Sequence, residues 1–284
     1  MLVRGLMLVL AMRLPVSALG AGPPVKSGFV TTSNGVRLHY LESGRGPAIL
    51  FVPGWTMPAE IWEPQIEHFA ARYRVVAMDP RSQGDSDKPT EGHYPERRAQ
   101  DIKEVVDQLR LAPVALVGWS LGVPESLTYV EQFGTATLRV VVLVDGPIAW
   151  GQPEEVAGRL QWLKGVQVNR REFAEKFVRS MYQKPQPEAY LQKIVAASLK
   201  TPTNSAVALI ANSTAPGDWR PVLPRLDRPV LYVGTARMKA QAEMLKAGLP
   251  AARIELFEGC GHALFVDDAP RFNRVVEEFL RGVK

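Results

Sequence analysis

An apolar run that ends in a G-x-S-x-G pentapeptide, VALVGWSLG over residues 114–122, gives Ser120 the setting a nucleophilic hydroxyl requires. A serine hydroxyl attacks weakly at neutral pH, so it must stand exposed on a strained strand-to-helix turn within reach of a base. Gly118 and Gly122 make that turn possible, because side chains there would collide with the neighbouring strand and the following helix. The chemistry open to such a serine is covalent catalysis. Five residues of this kind are unspecific by themselves. Their context carries the argument: an apolar strand before, the helix-like LTYVEQF after, and Pro124 where a first helical turn tolerates proline.

The elements that must hold Ser120 follow from the rest of the pattern. FVTTSNGVRLHYLES alternates apolar and polar residues on both sides of Asn34-Gly35, which predicts an antiparallel hairpin. AILFV, RVVAMD, LRVVVLVDGP, RPVLYVG and RIELFEG read as short buried strands, the first ending in PGWT and the second in the turn-rich PRSQGDSDKP. Helical spacing falls between them, at about 59–71, 95–109, 239–247 and 269–280. This alternation predicts an α/β fold, a mostly parallel central sheet flanked by helices. Between Gly146 and Arg220 strand signals vanish, and EEVAGRLQWL, REFAEKFVRSMY and EAYLQKIVAASL carry helical spacing instead. The expected organisation is a core over 28–146 and 220–284, with a helical cap inserted at 147–219. An insertion after a strand's C-terminal end lies over the crevice where open α/β sheets bind ligands.

Composition narrows the function classes. The 284 residues are 46% hydrophobic and 22% charged, enough for a large core in one domain. The 34 basic and 29 acidic residues are spread along the chain without a basic stripe, which argues against nucleic acid as a partner. Cys260 is the single cysteine, and the four histidines lack H-x-x-x-H spacing, so neither a disulfide nor a zinc site is expected. Residues 1–21 combine Arg4, an apolar run from Leu6 to Met12 and small residues from Ala18 to Ala21, the pattern of a signal peptide of a periplasmic or secreted protein. Arg13 interrupts that run, and an untidy start is the alternative. The run falls short of the about 20 apolar residues of a membrane span, so no integral span is expected.

Four blocks in order, FVPGW, VVAMDPRSQGDSD, VGWSLG and EGCGHALFVDDAPRFN, resemble the α/β-hydrolase superfamily, its serine esterase and lipase-like branch with a helical cap. The resemblance covers nearly the whole chain after Gly28. It implies that His262 is the general base for Ser120 and that the backbone N–H groups of Leu121 and Trp55 form the oxyanion hole. Pro53 stands where relatives often have histidine. Because the donor is backbone, that change alters packing around the hole without removing it. Relatives commonly place the triad acid in a G-x-x-D turn after the strand RPVLYVG, but this chain reads Gly234, Thr235, Ala236, Arg237 there. Some relatives carry the acid one strand earlier, which points to Asp145. Asp79 and the PRSQGDS loop are expected to support the nucleophile region structurally. Cys260 and Phe265 are read as packing residues, Asp268 as a helix cap, and Asp218 as capping the chain's return from the insertion.

The resulting expectation is a cofactor-independent, metal-independent serine hydrolase acting on a small carboxylic ester or lactone. Trp119 and Trp150 are candidate substrate-binding residues, while Trp150, Trp162 and Phe173 either line a pocket or pack the cap helices. An acyl-homoserine-type lactonase, a cofactor-free perhydrolase and a non-catalytic ligand-binding homologue are the alternatives.

Overall fold

In the computed structural model, which describes residues 22–212 and 217–283, the hairpin forms at its Asn-Gly dipeptide. Strand β1 (Lys26–Thr31) pairs antiparallel with β2 (Arg37–Ser43), and Gly35 takes φ 81°. The chain then enters β3 (Ala48–Val52), buried along its whole length. A 3-10 turn over Ala59–Trp62 leads into α1 (Glu63–Phe69) and then β4 (Arg74–Met78). Next come α2 (Pro95–Gln108), β5 (Val114–Trp119), α3 (Gly122–Phe133) and β6 (Leu138–Val144).

The stretch that follows is helical, as its periodicity predicts, with α4 (Pro153–Val168), α5 (Arg170–Ser180), α6 (Glu188–Leu199) and α7 (Thr203–Ala211). Two details depart from the sequence reading. The segment is tied at its base by a two-residue antiparallel pair, β7 (Ala149–Trp150) with β8 (Gly217–Asp218), where no strand was expected. Two residues are too few to show alternation, so only the meeting of distant chain ends reveals them. Helix α7 is the second departure. Its sequence TNSAVALIA is apolar on most sides and carries no clear stripe.

The fold resumes with β9 (Val230–Thr235), α8 (Lys239–Gly248), β10 (Arg253–Phe257), the short α9 (Leu264–Asp267) and α10 (Ala269–Gly282). Eight of these strands form one sheet in the order β1-β2-β4-β3-β5-β6-β9-β10, parallel from β4 onward. This is the expected α/β architecture.

Successive residues of a strand face opposite sides, and the core divides accordingly. Leu50, Leu116 and Leu143 face a layer that includes Val105 of α2 and Leu127 of α3. Phe51, Val117 and Val142 face Phe69 of α1 and Phe272 of α10. Each such burial contributes about 1.5–3 kcal/mol, so both faces are held firmly. From β3 the chain steps to β4 on one side, then crosses to β5 on the other. The crevice between the carboxyl ends of β3 and β5, where the strand order reverses, therefore opens beside Ser120. Among the described residues, no single helix is long and apolar enough to cross a membrane. The expected signal peptide, residues 1–21, lies outside the described residues.

Candidate active site

Ser120 leaves β5 with φ 56°, in the left-handed region that L-residues seldom occupy. Its N–H donates to the Val144 carbonyl at 2.9 Å, which pins the turn to the neighbouring strand. The two pentapeptide glycines are required by close contacts. A Cβ on Gly118 would lie 2.2 Å from the Gly122 carbonyl oxygen, and one on Gly122 would lie 2.6 Å from that of Val52. The loop after β3 approaches just as closely, for a Cβ on Gly54 would lie 2.8 Å from that of Ser120. Trp55 is thereby held beside the serine. Among the described residues, no protein acceptor receives the N–H of Trp55 or Leu121. Both are available to a ligand oxygen.

Three strand ends meet at this point. His262, in the turn between β10 and α9, places Nε2 2.9 Å from Ser120 Oγ and Nδ1 2.7 Å from Asp145 Oδ2. The tautomer that serves both contacts carries its proton on Nδ1, donating to the carboxylate and leaving Nε2 as acceptor. Asp145, just past β6 at φ 42°, is buried, and its second oxygen accepts the Thr235 N–H at 2.6 Å. The end of β9 thus supplies a backbone donor rather than a carboxylate, and Arg237 is exposed to solvent. The His262 turn is fastened too. Asp267 accepts the Gly261 N–H at 2.7 Å, and Ala263 N–H donates to the Met181 carbonyl at 2.9 Å.

Beside Ser120 lies a cavity of about 290 Å³. Trp55, Leu121, Pro124 and Pro147 line the sheet side, while Trp150, Arg159, Trp162, Leu209 and Ile210 line the other. The tryptophans divide in a way the sequence did not indicate. Trp150 and Trp162 face the cavity, whereas Phe173 packs at 6.0 Å from the Trp55 ring and is not part of the lining. Trp119, expected to offer aromatic surface to a substrate, is not part of the lining either. Only 1% exposed, it packs edge-on against Trp62 and Phe265 and donates its indole N–H to the His262 carbonyl at 2.9 Å. Neighbouring strand residues face opposite ways, so Trp119 points away from the side that Ser120 opens on.

A buried polar chain that sequence reasoning missed supports the Trp55 loop. Gln83 donates its amide to the carbonyls of Gly54 and Met57, both at 2.9 Å. Arg98 of α2 donates to Gln83 Oε1 at 3.2 Å and forms a buried ion pair with Glu125 of α3. Burial pushes the Glu125 carboxyl up to about 7, with Arg98 opposing the shift. The only signal in the sequence was the turn-rich loop that contains Gln83. Asp79 accepts the N–H groups of Ala59 and Asp85 and contacts His39 Nδ1 at 2.7 Å. His39, Asp79 and Asp85 bring possible ligand atoms within 4.8 Å of one another, which histidine spacing did not foretell. With its oxygens already engaged, Asp79 ties turns together. Asp268 caps α10 by accepting the Arg271 N–H, Asp218 accepts the Arg220 N–H, Phe265 is buried, and Cys260 packs at the core's edge.

Comparison with known proteins gives the same architecture. A non-heme chloroperoxidase from Kitasatospora aureofaciens is 27% identical over 282 residues, covering 88% of this chain and 98% of its own. Among solved structures, a bromoperoxidase from Bacillus anthracis superposes with TM-score 0.84 at 21% identity, covering 90% of this chain and 100% of its own. An esterase from Exiguobacterium antarcticum superposes with TM-score 0.83 at 22% identity, covering 89% and 98%. These two likenesses are of fold. The sequence profile of the alpha/beta hydrolase family matches residues 49–275, and the chain belongs to that family.

Proposed function

We propose that this protein is a serine hydrolase that cleaves a small carboxylic ester or lactone through an acyl-enzyme. The observation that carries the reading is the unbroken contact chain from Ser120 Oγ through His262 to the buried Asp145, at 2.9 and 2.7 Å, with Ser120 opening on an apolar cavity. His262 Nε2 takes the hydroxyl proton as Ser120 Oγ bonds to the acyl carbon. The oxygen of the tetrahedral intermediate acquires a negative charge, and the N–H groups of Leu121 and Trp55 are the donors proposed to receive it. His262 then returns the proton to the departing alkoxide. Water repeats the sequence and releases the acid. Asp145 holds the imidazole in the productive tautomer and offsets the positive charge it gains.

The experiment is covalent labelling combined with turnover. A fluorophosphonate should add once, at Ser120, and Ser120→Ala should abolish hydrolysis of a chromogenic short-chain ester. Unmodified Ser120 in a protein that still turns over the ester would overturn the reading. A second reading is favoured by the chloroperoxidase and bromoperoxidase relatives. The same acyl-enzyme attacked by hydrogen peroxide instead of water yields a peracid, and a perhydrolase of that kind is assayed by halide oxidation dependent on an added acyl donor.

A further inference from the structure

Arg159 is the one cation among the described residues that line the cavity beside Ser120. Among the described residues no carboxylate stands within ion-pair distance of it, although the charge of Glu155 acts on it from nearby. Its nearest acidic neighbour on the same helix face is Glu155, and such a pair four residues apart ordinarily forms an ion pair. Here Glu155 turns the other way. Its Oε2 accepts the N–H groups of Gly151 and Gln152, at 2.8 and 3.0 Å, to close a capping box at the start of α4. The guanidinium instead lies over the Trp150 ring, 4.3 Å from its centroid, and among the described residues it makes no ion pair or hydrogen bond. Burial pulls its pKa down from the ordinary arginine value, with the nearby Glu155 charge opposing the shift. A fork of five N–H donors is therefore held on a cavity wall that, apart from Ser120 and the Glu155 carboxylate already bonded to the start of α4, is tryptophan, proline, glycine and aliphatic side chains.

We infer that Arg159 forms a carboxylate subsite, so that the preferred substrate is a short ester or lactone whose non-reacting end carries a carboxylate. The inference rests on the proposed Ser120 chemistry for its orientation: the ester carbonyl lies at Ser120 and the anion at Arg159, along one cavity. The cavity sits at the lower limit of the about 300–1,000 Å³ usual for small-molecule sites, which suits a compact diacid derivative rather than a long acyl chain. Trp150 holds the guanidinium by its face, leaving the N–H edge to receive a carboxylate in the two-pronged geometry that arginine favours.

The test compares kcat/KM for two matched pairs. The monoanion 4-nitrophenyl hemiglutarate is set against its methyl ester, and 4-acetoxybenzoate against methyl 4-acetoxybenzoate, so that the charge lies on the acyl side or the alcohol side. In Arg159→Met, the charged-to-uncharged ratio of at least one pair should fall about 10- to 100-fold, the size expected of a charge-assisted hydrogen bond. Arg159→Lys should recover part of the ratio. If Arg159 merely packs on Trp150, both members of each pair decline together and the ratios stay fixed, which overturns the inference. Should the wild type cleave neither ester of either pair, the hydrolase reading fails separately. Kd values of the same esters for Ser120→Ala and Ser120→Ala/Arg159→Met then decide the subsite: weaker binding of a charged ester alone in the double variant supports it, and equal values overturn it.

Discussion

Replacing Asp145 by asparagine is the most informative single perturbation, because the structure assigns each carboxylate oxygen a different donor. Oδ1 accepts the Thr235 N–H at 2.6 Å and Oδ2 accepts His262 Nδ1 at 2.7 Å. An asparagine has one oxygen for two donors. If it keeps the Thr235 bond, its NH2 faces His262 Nδ1 and favours the tautomer with the proton on Nε2, which cannot accept from Ser120. In a comparable triad this exchange lowers turnover by about 10⁴, or roughly 5.4 kcal/mol at 1.36 kcal/mol per decade. If the amide flips, the histidine tautomer survives but the buried Thr235 N–H loses its acceptor, at about 1–3 kcal/mol of stability. The first alternative damages chemistry and spares the fold. The second weakens the fold, lowering Tm by about 2–4 °C per kcal/mol for a chain near this size, and still removes the negative charge that steadies the imidazolium. Measuring kcat on the best ester together with Tm separates the two. A variant with near-normal kcat and unchanged Tm would refute the role of Asp145 and the geometric reasoning behind it.

Four further outcomes are expected. Gln83→Leu leaves the carbonyls of Gly54 and Met57 without their buried donor, so kcat should fall about 10-fold or more through a displaced Trp55 N–H, with KM nearly constant. Steady-state kinetics on one ester checks this, and a pure KM effect would count against it. Glu125 has a folded pKa raised from 4.5 to about 7, so the folded state holds its proton more tightly, and its contribution to stability is lost as pH rises through that window. The Tm of the wild type relative to Glu125→Gln should accordingly decline between pH 4.5 and 7 and level off above, measured by scanning calorimetry. Gly118→Ala drives a methyl group onto the Gly122 carbonyl and should destabilise by about 1–3 kcal/mol or more, read from urea unfolding. Expressed in a bacterial host with its own start, the chain should yield a mature N-terminus near residues 19–22 by mass spectrometry, whereas an intact start in the cytosol alone would argue against a signal peptide.

What could be read from the sequence was whatever short-range chemistry demands. The Gly118 and Gly122 positions are needed because backbone passes within contact distance of both, and the same contact forces those residue types into the chain. Asn34-Gly35 and the apolar strands were legible for the same local reason. Arg237 where an acid was expected, with Asp145 one strand earlier, pointed to the strand end whose carboxylate contacts His262 in the structure. Features created by distant segments were not legible. The β7–β8 pair, the Gln83–Arg98–Glu125 chain and the inward orientation of Trp119 each depend on residues at least 15 positions apart, and no local period records them. Whether Trp162 or Phe173 would face the cavity was equally open, since the two rings pack against each other and nothing local separates them.

The fastening of the His262 turn bears on how a substrate gets in. Asp267 accepts N–H groups from Gly261 beside the histidine and from Gln183 just beyond α5, while Ala263 is bonded to Met181 at the end of that helix. If the helices 153–211 swung outward as one body, they would drag His262 off Ser120 and break the contact chain between them. Among the described residues, helix α4 makes no such bond to the histidine turn, and it presents Leu160, Trp162 and Val168 to solvent. Any entrance that keeps the reacting groups in register must therefore leave the far end of α5 in place.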